Sequence, residues 1–237
     1  MVKIYIDPGH GGNDPGAVAN GLKEKDLTLK IAKYMRDYLT KNYNGVSIKM
    51  ARSSDTYPSL TARTNDANRW GADAYVSIHI NAGGGTGFET YVYPGVGSAT
   101  KRLQDCIHAE LKKVFSGFRD RGKKQANFHV LRATKMHAVL TESLFIDTKK
   151  DADFLKKGAN LKKIGEAHAR GVAKYFGLKK KAQQKKSTAT TKKTATKSTN
   201  TYYRVVTGSF TDRKNAEKRV AELKKAGFDS FIDIYEK

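Results

Sequence analysis

Three residues of types that bind divalent metals occur in the first 79 positions of the 237-residue chain. His10 lies in a glycine-rich run at residues 7–12, Glu24 follows it, and His79 comes near the end of an apolar run. Two imidazoles and one carboxylate form the ligand set of catalytic zinc, in which one position of a tetrahedral ion stays open for water. The residue types therefore predict a zinc hydrolase.

A fourth group, Glu142, ends the apolar run at residues 138–141 and is not needed as a metal ligand. A carboxylate at the end of an apolar strand is costly to bury unless it is paired or takes part in catalysis. An ion pair with Arg52 or Arg63 is the structural alternative. We favour a role for Glu142 in catalysis.

The composition fits one full-sized domain with an appendage, because 38% hydrophobic residues in 237 suffice for one core of ordinary size. The single cysteine, Cys106, rules out an internal disulfide and any cage of cysteine ligands. A bound metal must therefore be held by nitrogen and oxygen atoms.

The formal charge of +22 is unevenly distributed. Residues 179–200 contribute eight lysines and residues 201–237 a net +2, which leaves +12 on residues 1–178. A basic surface favours encounters with polyanions such as nucleic acid, anionic lipid or wall teichoic acid. Because the excess is mostly lysine, without aromatics interleaved with arginine, we expect no nucleic-acid function. Anionic wall polymers remain candidate partners of the basic segment.

Apolar spacing predicts strands and helices that alternate along residues 2–177. The predicted strands are 2–6, 46–50, 73–80, 88–93 and 138–141, and the predicted helices are 27–39, 60–70, 100–115 and 161–176. This order predicts an α/β fold with a mostly parallel twisted sheet and helices on both faces. Both histidines then lie at carboxyl ends of strands, where sites form in such sheets.

The character of the sequence changes after residue 177. Residues 178–200 are rich in Lys, Thr, Ser and Ala and cannot bury a core, so they are predicted to be a flexible linker. Residues 201–237 predict a small βαβ unit, with strands at 202–210 and 228–235 around a helix at 215–226. The predicted domains are therefore 1–177, 178–200 and 201–237.

Residues 2–177 resemble the type-3 class of zinc-dependent N-acetylmuramoyl-L-alanine amidases in the order and spacing of their motifs. The matching residues are 6–12, 14–16, 77–82 and 140–142, with Glu24, Arg52, Leu60, Arg63, Asn65, Asn68, Ala72 and Asp73. The resemblance implies Zn²⁺ held by His10, Glu24 and His79, with Glu142 as the catalytic glutamate. It also implies hydrolysis of the amide between N-acetylmuramic acid and L-alanine of the peptidoglycan stem.

One departure from the family follows the catalytic glutamate. Ser143 and Leu144 stand where the family often has a small polar residue and then glycine. This difference concerns the shape of the backbone there rather than the role of Glu142.

Four further residues are candidates for substrate binding. His129, in surroundings similar to the family's, either bonds the substrate or has a structural place. Arg63 and Asn68 either line the groove or pack inward. Asn81, like Asp7, flanks a ligand and either orients an imidazole or caps a turn.

The C-terminal βαβ unit resembles one repeat of the sporulation-related (SPOR) peptidoglycan-binding module, whose full form has two such units. A lone unit has too little core to be stable alone. We therefore predict that two chains pair through residues 201–237 as a homodimer.

The N-terminus leads straight into the first predicted strand, without the apolar stretch and cleavage site of a signal peptide. We expect synthesis in the cytoplasm and action on the wall after release through phage holes or by mother-cell lysis. An endolysin or an autolysin fits this setting. The alternative functions are a wall-binding protein without activity and a metallopeptidase that cuts within the stem peptide.

Overall fold

The computed structural model describes residues 1–181, 210–227 and 232. The chain divides into two compact units, Met1–Gln184 and Lys185–Lys237. The described part of the first unit contains every candidate site residue.

A six-stranded sheet forms the centre of the first unit, and two short strands make a separate antiparallel pair. The strands are β1 (Val2–Pro8), β2 (Val18–Ala19), β3 (Leu22–Lys23), β4 (Val46–Met50), β5 (Ala74–Asn81), β6 (Phe88–Val92), β7 (Asp120–Gln125) and β8 (His137–Phe145). The sheet order is β4-β1-β5-β8-β6-β7. The first four of these strands are parallel to one another, whereas β6 is antiparallel to β8 and β7 is parallel to β6. The prediction of a mostly parallel sheet is confirmed.

Within residues 1–181, six helices accompany this sheet. They are α1 (Glu24–Asn42), α2 (Leu60–Trp70), α3 (Ser98–Val114), α4 (His129–Arg132), α5 (Lys149–Leu155) and α6 (Gly158–Phe176). Apolar residues of α1, α3 and α6 share one core with the sheet, and α2 and α4 share another. The first core contains Ile6, Val76 and Val139 of the sheet, and the second contains Tyr5, Tyr75 and Leu140. Because side chains alternate along a strand, these two sets lie on opposite faces, and the prediction of helices on both faces is confirmed.

Local signals placed most of the elements well. The helix α2 has the predicted bounds because Ser59 Oγ caps Ala62 N at 3.2 Å and Gly71, with φ of 67°, ends the helix. Five elements of the first unit were not predicted: the short strands β2 and β3, the edge strand β7, and the short helices α4 and α5. The edge strand β7 is polar and lacks an apolar alternation, and α5 has only seven residues.

The described part of the second unit is the helix α7 (Arg213–Lys225), close to the predicted 215–226. Asp212 caps it by accepting hydrogen bonds from Lys214 N and Asn215 N. The predicted strands at 202–210 and 228–235, except residues 210 and 232, and most of the predicted linker lie outside the described residues. Among the helices that are described, none is long and apolar enough to cross a membrane.

Candidate metal centre and active site

The parallel pairing of β1 with β5 brings the two candidate histidines together. Pro8 at the end of β1 is in register with Ile78 of β5, so His10 and His79 lie at the same edge of the sheet. Their ring centroids are 5.0 Å apart. Their side chains remain 25% and 20% exposed, which leaves this edge open to a substrate.

Glu24, the first residue of α1, joins the two imidazoles. Its Oε2 lies 3.1 Å from His10 Nε2, and its Oε1 lies 3.0 Å from His79 Nδ1. The ligand atoms of the three residues all lie within 4.8 Å of one another. Three donors of these types at this spacing fit a divalent metal, and the donor set matches that of catalytic zinc.

The glycine-rich turn after β1 makes room for this cluster. A Cβ at Gly9 would lie 2.2 Å from the ring of His79, and a Cβ at Gly16 would lie 2.6 Å from Glu24 Oε2. Gly16 also has a φ of 63°, and His10 itself adopts a left-handed φ of 61°. The turn therefore needs glycine where the ligands come closest to the backbone.

Arg63 stabilises the glycine-rich turn after β1 by hydrogen bonds. Its side chain is only 2% exposed, and Nη1 donates to Asp7 Oδ1 at 2.6 Å and to Pro8 O at 2.8 Å. Nη2 donates to His10 O at 2.7 Å, and Nε donates to Pro58 O at 2.9 Å. The structure thus places Arg63, a candidate for substrate binding, inside the fold. There its hydrogen bonds stabilise the backbone segment that carries His10.

Arg52 has a similar place beside Arg63. Its Nε donates to Pro8 O at 3.1 Å, and its Nη2 donates at 2.8 Å to the carbonyl oxygens of Gly9 and Lys25. Burial and then the positive charge of Arg63 lower the pKa of the Arg52 guanidinium. Arg52 thus ties the turn that carries His10 to the start of α1, where Glu24 lies, and Arg63 holds the turn itself.

Asp14 orients His10. Its Oδ2 lies 2.9 Å from His10 Nδ1, and its Oδ1 accepts a hydrogen bond from Gly16 N at 3.0 Å. With Nδ1 facing this carboxylate, Nε2 is left to face Glu24. The sequence offered Asp7 for such a role, but Asp7 bonds Arg63 and the strand side chains of β5 instead. The signal for Asp14 was its position four residues after His10.

Hydrogen bonds within the cluster favour the charged forms of His10 and Glu24. Burial alone would lower the pKa of His10, but the hydrogen bonds and charges of Glu24 and Asp14 raise it above its usual value. Burial alone would raise the pKa of Glu24, but hydrogen bonds from His10 and His79 hold it well below its usual range. Glu24 is therefore a carboxylate, the form that binds a metal.

Glu142 lies one strand away from the cluster. It is in register with His79 across the parallel pair of β5 and β8, so the two side chains project from the same face. Its Oε2 is buried, and among the described residues no group donates a hydrogen bond to it. Burial first, and then the negative charges of Glu24 and Glu89, raise the pKa of Glu142 well above its usual value.

The structural alternative for Glu142 was an ion pair with Arg52 or Arg63. In the described part of the chain neither arginine pairs with it, because both are committed to the turn. A buried carboxyl with a raised pKa and a free oxygen beside a metal site is suited to proton transfer.

The candidate substrate residues have different places. His129 opens α4, and within the described residues its Nε2 is buried without a partner. Phe128 before it packs on Tyr91 at 5.2 Å between ring centroids, and the pKa of Tyr91 is raised by burial and by the charges of Glu89 and Glu142. His129 therefore lies on the face that carries Glu142, with a buried ring nitrogen that no described residue bonds.

The two candidate asparagines are hydrogen-bonded to the protein. Asn68 Nδ2 donates to Ala133 O and its Oδ1 accepts from Lys135 N, both at 2.9 Å, so it braces the loop after α4. Asn81 Nδ2 donates to Glu89 Oε1 of β6 at 2.7 Å, so it bonds a carboxylate rather than an imidazole.

The backbone after Glu142 keeps the shape that glycine would favour. Leu144 has a φ of 71°, in the left-handed region, and the pairing of β8 with β5 shifts register there. A leucine in this conformation is strained relative to glycine. At position 144 the residue type therefore differs from the family's glycine, but the backbone has the left-handed conformation that glycine favours.

Comparison with known proteins agrees with this geometry. The profile of the N-acetylmuramoyl-L-alanine amidase family matches residues 4–174, and the SPOR domain matches residues 177–233. A sporulation-specific N-acetylmuramoyl-L-alanine amidase of Bacillus subtilis is 48% identical over 98% of this chain and 84% of its own length. The endolysin of Bacillus phage SPP1 is 48% identical over 76% of this chain and 68% of its own length.

A solved structure shares the fold of the first unit. The N-acetylmuramoyl-L-alanine amidase of Clostridium difficile 630 superposes with a TM-score of 0.71 at 34% identity, covering 74% of this chain and 97% of its own. The family match spans well over half of the sequence, and the ligand cluster lies inside the matched region. This chain, in which a SPOR domain follows the amidase domain, therefore belongs to the N-acetylmuramoyl-L-alanine amidase family of peptidoglycan hydrolases.

Proposed function

We propose that this chain hydrolyses the amide between the lactyl group of N-acetylmuramic acid and the L-alanine of the stem peptide, with Zn²⁺ at its site. The observation that carries the proposal is a His₂Glu cluster with a buried, unpartnered carboxyl one strand away. The cluster supplies metal ligands, and Glu142 supplies a group that can take and return a proton.

The metal would be held by His10 Nε2, a carboxylate oxygen of Glu24 and His79 Nδ1, the atoms that face one another. Two nitrogens and one oxygen suit zinc better than magnesium or calcium, which prefer oxygen alone. Zn²⁺ when bound lowers the pKa of water and polarises a carbonyl group. Among the described residues no fourth His, Cys, Asp or Glu joins the cluster.

Glu142 moves the protons of the reaction. As a carboxylate it accepts a proton from the attacking water through its free Oε2, and it then returns that proton to the leaving amine of L-alanine. Its raised pKa favours holding the proton between these two events. His129, whose buried Nε2 has no partner among the described residues, supplies a hydrogen bond to the substrate in this proposal.

Arg63 and Asn68 have no part in substrate binding in this proposal. Arg63 is a positioning residue for His10, and Asn68 holds the loop that follows α4. Asn81 acts through Glu89, which it bonds directly.

The amidase and SPOR matches both imply binding to peptidoglycan. For residues 201–237 we further propose pairing of two chains, which is supported by α7, because no residue of this described helix is buried. Light scattering on the full chain and on a chain ending at Gly177 tests this; a dimer is expected only for the full chain. Two monomers would exclude pairing.

We propose a host autolysin as the biological role. The likeness to the sporulation-specific amidase extends over 98% of the chain, whereas that to the phage endolysin covers 76%. Action after lysis of the mother cell fits this likeness better than release through phage holes. The lysines of residues 179–200 supply the charge for binding anionic wall polymers.

Mass spectrometry of muropeptides tests the reaction. Purified peptidoglycan is digested with the full chain, with a chelated sample and with the chelated sample after zinc is restored. We expect intact stem peptides with a free L-alanine amine from the first and third samples only. Cleavage within the stem would identify a metallopeptidase, and wall binding without release would identify a binding protein.

A further inference from the structure

The site residues continue as a row across the sheet, beyond Glu142. His79 on β5 is in register with Glu142 on β8, which is in register with Glu89 on β6. The next strand is β7, at the edge. Since neighbouring strands are about 4.8 Å apart, the row extends about 14 Å from His79 to the backbone of β7.

An irregularity in β7 lies at this level of the row. Phe88 of β6 pairs with Asp120 of β7, but Thr90, two residues further, pairs with Lys123. Glu89 is therefore opposed by two residues of β7 rather than one. Such bulges redirect side chains and occur often beside active sites.

The two opposing residues are Arg121 and Gly122. Gly122 has a φ of 89°, and its N–H donates to Asp120 Oδ1 at 2.9 Å. The same Asp120 oxygen lies 3.0 Å from His108 Nε2 of α3. The bulge is thus fixed by side chains on both sides, and it directs Arg121 toward Glu89.

Arg121 Nε donates to Glu89 Oε2 at 3.0 Å. Glu89 is only 3% exposed, accepts a second hydrogen bond from Asn81 Nδ2 at 2.7 Å, and is also paired with Lys124 Nζ. Two cations on one carboxylate leave a net positive charge at this end of the row.

The rest of the Arg121 guanidinium is uncommitted. Among the described residues, no acceptor lies within hydrogen-bonding distance of Nη1 or Nη2, and the side chain is 26% exposed. The guanidinium carbon lies 4.9 Å from the centre of the Phe145 ring, which holds it in place. A planar fork with four free N–H groups matches a carboxylate.

We propose that Arg121 is a specificity-determining residue that binds a carboxylate of the stem peptide, on the leaving-amine side of the scissile bond. The proposal rests on the proposed function. Glu142 returns its proton to the leaving amine, so the peptide continues from Glu142 toward Glu89 and Arg121. The lactyl carboxyl of the sugar is consumed in the scissile amide, so the free carboxylates nearest this end belong to the peptide.

The distance agrees with a residue near the start of the stem. From β8 to β7 the row covers about 10 Å, and the Arg121 side chain reaches back over part of it. An extended peptide advances about 3.3–3.6 Å per residue. The carboxylate of the second stem residue, D-glutamate, lies within this reach.

A matched pair of soluble substrates tests the proposal. N-acetylmuramoyl-L-alanyl-D-glutamate carries the α-carboxylate, and the D-isoglutamine form replaces it with a neutral amide. For the full chain with zinc we expect kcat/KM to favour the carboxylate by about tenfold or more, mainly through KM. Arg121→Gln is expected to bring this ratio close to one.

Arg119→Gln is the control, because it removes the same charge from an exposed position just before β7. It is expected to keep the wild-type ratio. The ratio of two substrates in one preparation does not depend on how much of a variant is folded.

Three results would overturn the proposal: no preference in the wild type, an equal loss on both substrates in Arg121→Gln, or a preference that disappears in Lys124→Gln and persists in Arg121→Gln. If the wild type cleaves polymeric peptidoglycan but shows no preference, only this inference fails. If it releases no stem peptide from any substrate, the proposed function fails as well.

Discussion

Two carboxylates of the site, Glu24 at the start of α1 and Glu142 on β8, have opposite surroundings. Glu24 is hydrogen-bonded to both imidazoles and to backbone N–H groups, and its pKa is held well below the usual range. Glu142 has a buried oxygen with no partner among the described residues, and its pKa is raised mainly by burial.

This difference assigns the roles. A carboxylate that is fully bonded to donors stays charged and serves as a ligand, whereas one that lacks them can bind and release a proton. The residue type is the same in both places. The neighbours decide the chemistry.

The largest effect is expected from Glu142→Ala. Loss of a general base and acid lowers the rate of stem-peptide release by about 10²- to 10⁴-fold, while the zinc content of the protein stays at the wild-type level. Glu24→Gln is the counterpart, in which zinc content falls together with activity. Rates measured beside metal analysis separate the two; loss of zinc from Glu142→Ala would reverse the assignment.

The next largest effect is expected on stability, from loss of the buried ion pair between Arg63 and Asp7. Arg63→Met leaves the buried Asp7 carboxylate without a positively charged partner, so we expect the free energy of unfolding to fall by about 3–5 kcal/mol in urea titrations. Arg36→Met is the matched control, because its pair with Asp37 is exposed and worth about 1 kcal/mol or less. Equal losses in the two variants would show that the Arg63 pair is not special.

A third effect is a pH dependence of the folding stability that arises from His168, a buried residue of α6 that contacts Thr141 of β8. Burial lowers its pKa from 6.5 to about 4, and its Nε2 and Nδ1 are bonded to Thr141 Oγ1 and Ile164 O. Between pH 6.5 and 4 the unfolded chain binds a proton that the folded one does not, so stability falls as pH falls through this window. The loss amounts to about 3 kcal/mol at pH 4.

His168→Gln removes this titration and keeps a neutral polar side chain. Its free energy of unfolding is expected to decline less than that of the wild type between pH 6.5 and 4. Parallel declines in the two proteins would mean that other groups carry the acid sensitivity.

The smallest effect is expected from Asp14→Ala. Without the carboxylate that orients His10, zinc affinity falls by about 10- to 100-fold, as competition with a coloured chelator would measure. Asp26→Ala, an exposed carboxylate in the first turn of α1, is the control and should leave the affinity unchanged. An unchanged affinity in Asp14→Ala would limit the comparison to Glu24 and Glu142.

Sequence patterns located the elements that carry strong local signals. The apolar spacing in α1 and the apolar runs of β1 and β5 predicted that both histidines would lie at carboxyl ends of strands, with Glu24 at the start of a helix. The edge strand β7 was not predicted because its formation depends on pairing with β6 rather than on its own composition. Its bulge carries Arg121, which for that reason was not a sequence candidate.

Roles that depend on distant partners could not be predicted. Arg63 and Asn68 have the polar types of substrate-binding residues, but their acceptors lie 53 and 65 positions away in the sequence. Spacing along the chain does not indicate such partners. It indicated the metal ligands because their types and motifs are restrictive on their own.

The close approach of Gly9 and Gly16 to the ligands has a consequence for how inactive relatives are recognised. In a saturation mutagenesis scan both positions should be as intolerant as His79 and Glu24, because any added Cβ takes the space of an imidazole or a carboxylate. Loss of activity over evolution can therefore begin at a residue with no side chain. A homologue that keeps all four polar residues but has alanine at either glycine would be a pseudoenzyme that inspection of the ligands alone would miss.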